Sequence, residues 1–381
     1  MKVSHVPFYR PSIGKEEIAE LTDTIKGGWV TTGKKTHLFE SKIADYVGAG
    51  HAVALNSCTA GLHLLLQAAG IGPGDEVVTT PYTFVSTAEA ILYTGATPVF
   101  CDIDYRTLNI DAESAAEKIT RNTKALLPVH IAGLPVRFDG FLRLARDCRV
   151  KLFDDAAHAL GAEYKGKRVG SCKYSDMTVL SFHAVKHITT GEGGMVLTNN
   201  RDFYEKLIMF RNHGITRDKD KLTDRNQGAW FYEMHFLGFN YRLTDIQCAL
   251  GISQLNKLSR FVKRRREIAG LYKKGFSGIK EIRCLEERRY AKSSWHIFPI
   301  RVNKKRDVVF NRLRDMGIGV NVHYIPIYQQ PYYKRLNYGR DLCPKAEEYY
   351  KSAITLPLYP AMSNAEVKKI IDTVKGIINS L

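Results

Sequence analysis

The chain of 381 residues has room for two or three domains at about 150 residues each, and its hydrophobic content of 44% supplies a sizeable core. The longest apolar runs, such as 62–66, fall far short of the ~20 residues that span a bilayer, and Met1 to Pro7 lacks the apolar core and cleavage site of a secretory signal, so a cytoplasmic protein without stable membrane insertion is expected. The formal charge of +17 raises nucleic-acid binding, but the densest basic run, Lys263-Arg264-Arg265-Arg266, lies among apolar residues at helical spacing, so it reads as a solvated helix face; no RNA-binding signature accompanies it and no nucleic-acid partner is expected. A small anionic ligand such as a nucleotide diphosphate is the sharper use for such charge.

In chain order, residues 1–14 read as an extended N-terminal arm and 14–26 as an amphipathic helix. The glycine-rich stretch 27–33 breaks that helix, and its Trp29 and Thr32 either pack a turn or line a site. A strand at 51–55 leads through Asn56-Ser57-Cys58-Thr59-Ala60 into an apolar helix spanning about 61–69. Hydroxyls and unsatisfied N–H groups at a helix start serve as a cap or as an anion site. Strands at 76–80, 97–101, 125–129 and 150–153 then alternate with helices at 84–93, 111–119 and 138–148. This is the pattern of a parallel sheet covered by helices, whose ligands collect at the carboxyl ends of the strands.

Asp154-Asp155-Ala156-Ala157-His158 lies at such an end. Adjacent carboxylates after a strand point in different directions, so at most one faces the mouth of the sheet, and either one alone serves equally to cap a turn. Residues 181–194, between strands at 177–180 and 195–198, place Lys186 among His183, His187, hydroxyls, Gly191, Gly193 and Gly194. A lysine amine with its ordinary pKa of ~10.4 is protonated and a poor nucleophile. Schiff-base formation with pyridoxal phosphate is one remedy, and that cofactor requires a carboxylate for its ring nitrogen, donors for its phosphate and a flat surface for its ring. Phe84 by itself reads as core. The seven cysteines are scattered and never form C-x-x-C, and His183 with His187 lacks the glutamate of H-E-x-x-H, so neither a disulfide framework nor a metal site is expected. Past a loop at 211–215, residues 237–245 precede a helix capped by Thr244 or Asp245. A change of character between Gln254 and Lys263 sets the expected division: arm 1–14, large domain 15–255, small C-terminal domain 256–381.

Taken together, Pro7, Pro11, Gly33, residues 56–60, 155–158, 181–194 and 238–242 resemble the sugar aminotransferases of the DegT/DnrJ/EryC1/StrS type, the nucleotide-sugar branch of the pyridoxal-phosphate enzymes of fold type I. The resemblance implies an aspartate-aminotransferase-like α/β fold: a large domain with a mainly parallel seven-stranded sheet and a smaller C-terminal α/β domain. It implies that Lys186 forms the Schiff base, Asp155 pairs with the pyridine nitrogen, and Ser57, Cys58, Thr59 and Ser181 hold the phosphate. Phe84 would lie against the ring, His158 near its phenolic oxygen, and Asn240 would reach the cofactor of a partner subunit in a homodimer. Ala184 stands where many members carry proline, and the presence of Lys186 argues against the dehydratase branch, which has histidine there. Substrate-side candidates are Thr32, His183, Arg242, His323 and Tyr324. The aromatic cluster at 323–333 resembles members that aminate UDP-4-keto-6-deoxy-N-acetyl-β-L-altrosamine at C4 in pseudaminic acid synthesis, with L-glutamate as donor. The D-configured keto-sugar is the alternative, and a packed loop is the plain reading of the same cluster.

Overall fold

The computed structural model describes residues 5–303, 305–339 and 341–381. Helices α1 (Lys15–Lys26) and α2 (Lys34–Val47) lead to β1 (His51–Leu55), α3 (Cys58–Ala68), β2 (Glu76–Thr79), α4 (Ser86–Tyr93), β3 (Thr97–Phe100), α5 (Ala112–Lys118), β4 (Thr123–Leu127), α6 (Phe138–Cys148), β5 (Lys151–Asp155), β6 (Met177–Ser181), β7 (Gly194–Thr198) and α7 (Arg201–Arg211). The seven strands form one sheet in the order β1-β7-β6-β5-β4-β2-β3. All neighbouring pairs from β6 to β3 are parallel, and β7 alone runs against both of its neighbours. The mainly parallel seven-stranded sheet read from the sequence is therefore present. Every residue of β6 and β7 is buried, as expected of strands covered on both faces.

Two apolar layers sandwich this sheet. On one side Phe39, Ile43, Leu180, Leu197, Leu258 and Val262 pack together, and on the other Leu62, Leu65, Leu66, Val179, Val196 and Leu207. Helix α3 is buried over most of its circumference. It begins at Cys58, earlier than the apolar pattern suggested, because Ser57 accepts the Ala60 N–H at 3.0 Å and caps the helix there. The outer edge of β1 is closed by side chains: Glu40 accepts the Ala54 N–H at 2.8 Å, Arg211 donates to the Ala54 carbonyl at 2.9 Å, and the two side chains pair at 2.5 Å. The Ala54 groups on that edge are thereby satisfied internally, and the backbone at Tyr241 and Arg242 meets Leu55 and Asn56 beyond them.

Helix α8 (Asp245–Phe276) starts at a capping box of Thr244 and Gln247 and runs 32 residues without interruption. The expected division at 255/256 falls inside it. Beyond α8, strands β8 (Ile282–Cys284), β9 (Phe298–Val302) and β10 (Ala353–Leu356) form an antiparallel sheet in the order β8-β9-β10. Helices α9 (Arg306–Asp315), α10 (Pro331–Arg335), α11 (Pro344–Ser352) and α12 (Asn364–Asn379) accompany that sheet. Its core is continuous with Tyr82, Val129 and Ile131 near the large sheet and with Ile268 and Tyr272 of α8. The N-terminal arm is tied down as well, because Val6 donates to the Gly317 carbonyl at 2.9 Å and accepts the Gly319 N–H at 2.8 Å. Replacing Arg211 with methionine would leave the buried Glu40 carboxylate with only the Ala54 N–H and the exposed His37 ring at 3.3 Å as partners. The expected cost is about 3–5 kcal/mol, seen as a clear fall in the thermal midpoint, and the matched Glu40→Gln/Arg211→Met pair should recover part of it.

Candidate active site

The carboxyl ends of β5 and β6, the start of α3 and the arm converge on a cavity of about 600 Å³. Its lining brings together Ser57, Cys58, Thr59, Phe84, Asp155, His158, Ser181, His183, Lys186, His323 and Tyr324. The two adjacent carboxylates diverge as strand geometry requires. Asp154 points away from the cavity, where the His130 Nε2 and Thr178 hydroxyl each approach it at 2.9 Å. The Val136 N–H donates to His130 Nδ1 at 3.1 Å, so the ring proton sits on Nε2 and is donated to Asp154. Asp155 faces the cavity, receiving the Thr87 hydroxyl at 2.9 Å and the Ala157 N–H at 3.0 Å. Burial raises its carboxyl above the ordinary range, against those two donors and Lys186.

Lys186 is presented by a loop folded back on β6. The Phe182 N–H donates to Gly193 at 2.8 Å, the Thr190 N–H to Phe182 at 2.9 Å and the Lys186 N–H to His183 at 2.9 Å. Gly191 takes the left-handed conformation (φ +79°) that the turn needs. Gly194 abuts the start of α3 so closely that a Cβ would lie 2.4 Å from the Ser57 carbonyl and 2.5 Å from Cys58 N. Burial drives the Lys186 amine below the usual lysine range, against the pull of Cys58 and Asp155. No hydrogen bond or ion pair engages its Nζ among the described residues.

Three imidazoles surround this floor. His158 meets the Tyr324 hydroxyl at 3.2 Å through Nε2, its ring lies 4.3 Å from that of His296, and His296 lies 5.4 Å from His187. His187 Nε2 lies 3.1 Å from the Ser294 carbonyl and donates to it, tying the lysine loop to the segment ahead of β9. Burial holds all three well below the ordinary histidine range, with Lys186 adding to the effect. It also lowers His323 to about 4.

Sequence reasoning missed Phe8, Tyr9, His296, Asn321 and Glu192 in the lining and Thr87 behind it. Thr87, one turn into an expected helix, and Glu192, within the singled-out stretch 181–194, carried a signal, and the others carried none. Three expected residues lie outside the cavity of this chain. The Thr32 hydroxyl donates to the Leu243 carbonyl at 2.8 Å, Arg242 donates to Asn212 at 2.5 Å, and Asn240 is exposed. Of the aromatic cluster, His323 and Tyr324 reach the cavity, whereas Tyr328 and Tyr333 are buried core residues.

The donor set fits pyridoxal phosphate. An amine without a partner and a buried carboxylate face one space, the open end of α3 offers N–H groups for an anion, Phe84 is 59% exposed with its ring beside them, and His158 Nδ1 is buried without a partner. Fold and site together define a pyridoxal-phosphate-dependent aminotransferase. Residues 11–375 match the DegT/DnrJ/EryC1/StrS aminotransferase family, and the chain belongs to it. It is 42% identical over 380 residues to the spore coat polysaccharide biosynthesis protein SpsC of Bacillus subtilis, covering 98% of this chain and 97% of that one. The putative sugar aminotransferase Spr1654 of Streptococcus pneumoniae, solved in pyridoxal- and pyridoxamine-phosphate forms, superposes at TM-scores of 0.92 and 0.93 with 33% identity, over 98% or more of each chain. PseC of Helicobacter pylori, an aminotransferase of pseudaminic acid biosynthesis, superposes at 0.92 with 33% identity over 99% of this chain and 100% of that one. The protein is a sugar aminotransferase that uses pyridoxal phosphate.

The neutral imidazoles set a pH dependence. Their folded pKa values lie below the unfolded value of ~6.5, so the unfolded chain binds more protons in acid, and stability is full above about pH 6.5 and falls as the pH drops below it. The thermal midpoint of the protein should fall between pH 8 and pH 5.5. His187→Asn, which keeps a donor for Ser294 but cannot titrate, should shrink that fall.

Proposed function

We propose that the protein aminates UDP-4-keto-6-deoxy-N-acetyl-β-L-altrosamine at C4 with L-glutamate as donor, as a cytoplasmic homodimer. The observation that carries the substrate assignment is the placement of His323 and Tyr324 in the cavity, Tyr324 within 3.2 Å of His158 Nε2. The likeness to PseC supports the same class of sugar. The dimer reading is supported by Trp230 at 76% and Leu237 at 78% exposure in the segment that leads to Asn240, large apolar side chains left without cover in this chain. No helix among the described residues is long and apolar enough to cross a membrane. The arm, large-domain and small-domain division belongs to this reading, with its boundary carried within α8.

Lys186, Asp155, Ser57, Cys58, Thr59, Ser181, Phe84 and His158 hold the cofactor in this reading, with Asn240 serving the partner's site. When bound, pyridoxal phosphate supplies an aldehyde for Lys186 and an electron-withdrawing ring. Asp155, whose burial favours a shared proton, holds the proton on the ring nitrogen. Lys186 Nζ, whose charged form burial disfavours, moves the proton that leaves the donor's amine-bearing carbon. His158 and Tyr324 form one hydrogen-bonded unit that orients groups at the inner wall, and Thr32, His183, Arg242 and His323 act on the substrate side.

Purified protein loaded with cofactor should lose its visible absorbance on addition of L-glutamate and regain it with the L-configured keto-sugar. Recovery with the D-configured sugar alone would assign the alternative substrate. Lys186→Ala should abolish turnover while leaving the thermal midpoint of the cofactor-free protein nearly unchanged.

A further inference from the structure

Glu192 is a carboxylate with no task in the reaction outlined above. Apart from Asp155 it is the only acid among the described residues of the cavity lining. Its main chain is held on two sides, since the Thr190 hydroxyl donates to its carbonyl at 2.6 Å and the Gln247 amide at 2.9 Å. Gly193 beside it admits no side chain, because a Cβ there would lie 2.2 Å from Thr190 Oγ1. The backbone is therefore fixed while the side chain is 65% exposed, its Oε1 lying 3.7 Å from His183 Nε2. The Val185 N–H approaches His183 Nδ1 at 3.4 Å, which leaves the ring proton on Nε2, turned toward the carboxylate. A pair this exposed contributes only about 0–1 kcal/mol to stability, so folding does not account for it.

A transaminase admits two unlike partners to one cavity in turn, an ammonium-bearing donor and a keto-sugar without one. We propose that Glu192 is the specificity-determining carboxylate that receives the ammonium group of the amino donor at the cavity mouth, oriented by His183 Nε2–H. The fixed negative charge attracts the ammonium, the only cationic group that either partner carries, while the two carboxylates of L-glutamate must turn away from it. A nucleotide diphosphate gains nothing from that charge and must turn its phosphates elsewhere. Asp155 does not duplicate the role, because its two oxygens are already engaged by Thr87 and Ala157 at the inner end. The proposal rests on the transaminase reading.

The test uses cofactor-loaded protein and follows each half-reaction separately by visible absorbance. Glu192→Gln keeps the shape and removes the charge; it should raise the apparent KM for L-glutamate about tenfold or more. The same variant should leave the KM for the keto-sugar and the thermal midpoint within about twofold and about a degree of the parent. Glu192→Asp should recover part of the loss, and His183→Gln should show a smaller rise in the KM for glutamate, accompanied by an effect on the sugar step because His183 also serves the substrate side. An unchanged glutamate step, or equal losses in both steps, overturns the proposal, the latter by assigning Glu192 to the sugar. Failure of the parent enzyme to respond to L-glutamate is a separate result that overturns the donor assignment and this proposal with it.

Discussion

The structure is organised around keeping one amine out of water. Lys186 sits where β6 ends, and the burial that disfavours its charged form comes from elements far apart in the chain: the start of α3, the end of β5, the arm and the segment ahead of β9. An isolated ammonium in such a place is costly, so the site favours the neutral, nucleophilic form. The neighbouring imidazoles obey the same rule. His158, His187 and His296 are all held neutral, so the floor offers polar nitrogens without competing positive charge.

The division of labour between Asp154 and Asp155 shows how a strand serves two purposes at once. Alternation sends one carboxylate to His130 and Thr178 in the interior and the other into the cavity. The first helps hold β5 beside β6, and the second is left raised in proton affinity by its burial. The contact of Gly194 with Ser57 and Cys58 does comparable work, fixing the end of α3 against β7 and so fixing where an anion would be held relative to Lys186.

Much of this was legible in the sequence because parallel-sheet proteins repeat a simple pattern. Strand and helix alternation located all seven strands, and glycines and hydroxyls around Lys186 marked the loop. What escaped was long-range. Nothing local marks Phe8 or Tyr9 as lining residues, since only the pairing of Val6 with the 317–319 turn brings them there. His296 lies just ahead of β9, and its approach to His158, with ring centroids 4.3 Å apart, joins the segment before the small sheet to the end of β5. The aromatic cluster at 323–333 was read as one unit, yet packing separates it: His323 and Tyr324 face the cavity, whereas Tyr328 and Tyr333 fill the small-sheet core. The expected division at 255/256 falls where a continuous helix, Asp245–Phe276, runs through.

That helix has a mechanical consequence. Because α8 belongs to the packing of both sheets and carries 32 residues of unbroken hydrogen bonding, it acts as a common axle, and sharp bending would break the ladder that stiffens it. Opening and closing by rotation of one half against the other would strain this axle. Access to the lysine is left to lighter parts, the side chains of Phe8, Tyr9 and Glu192 at the cavity mouth, which can shift without disturbing the frame.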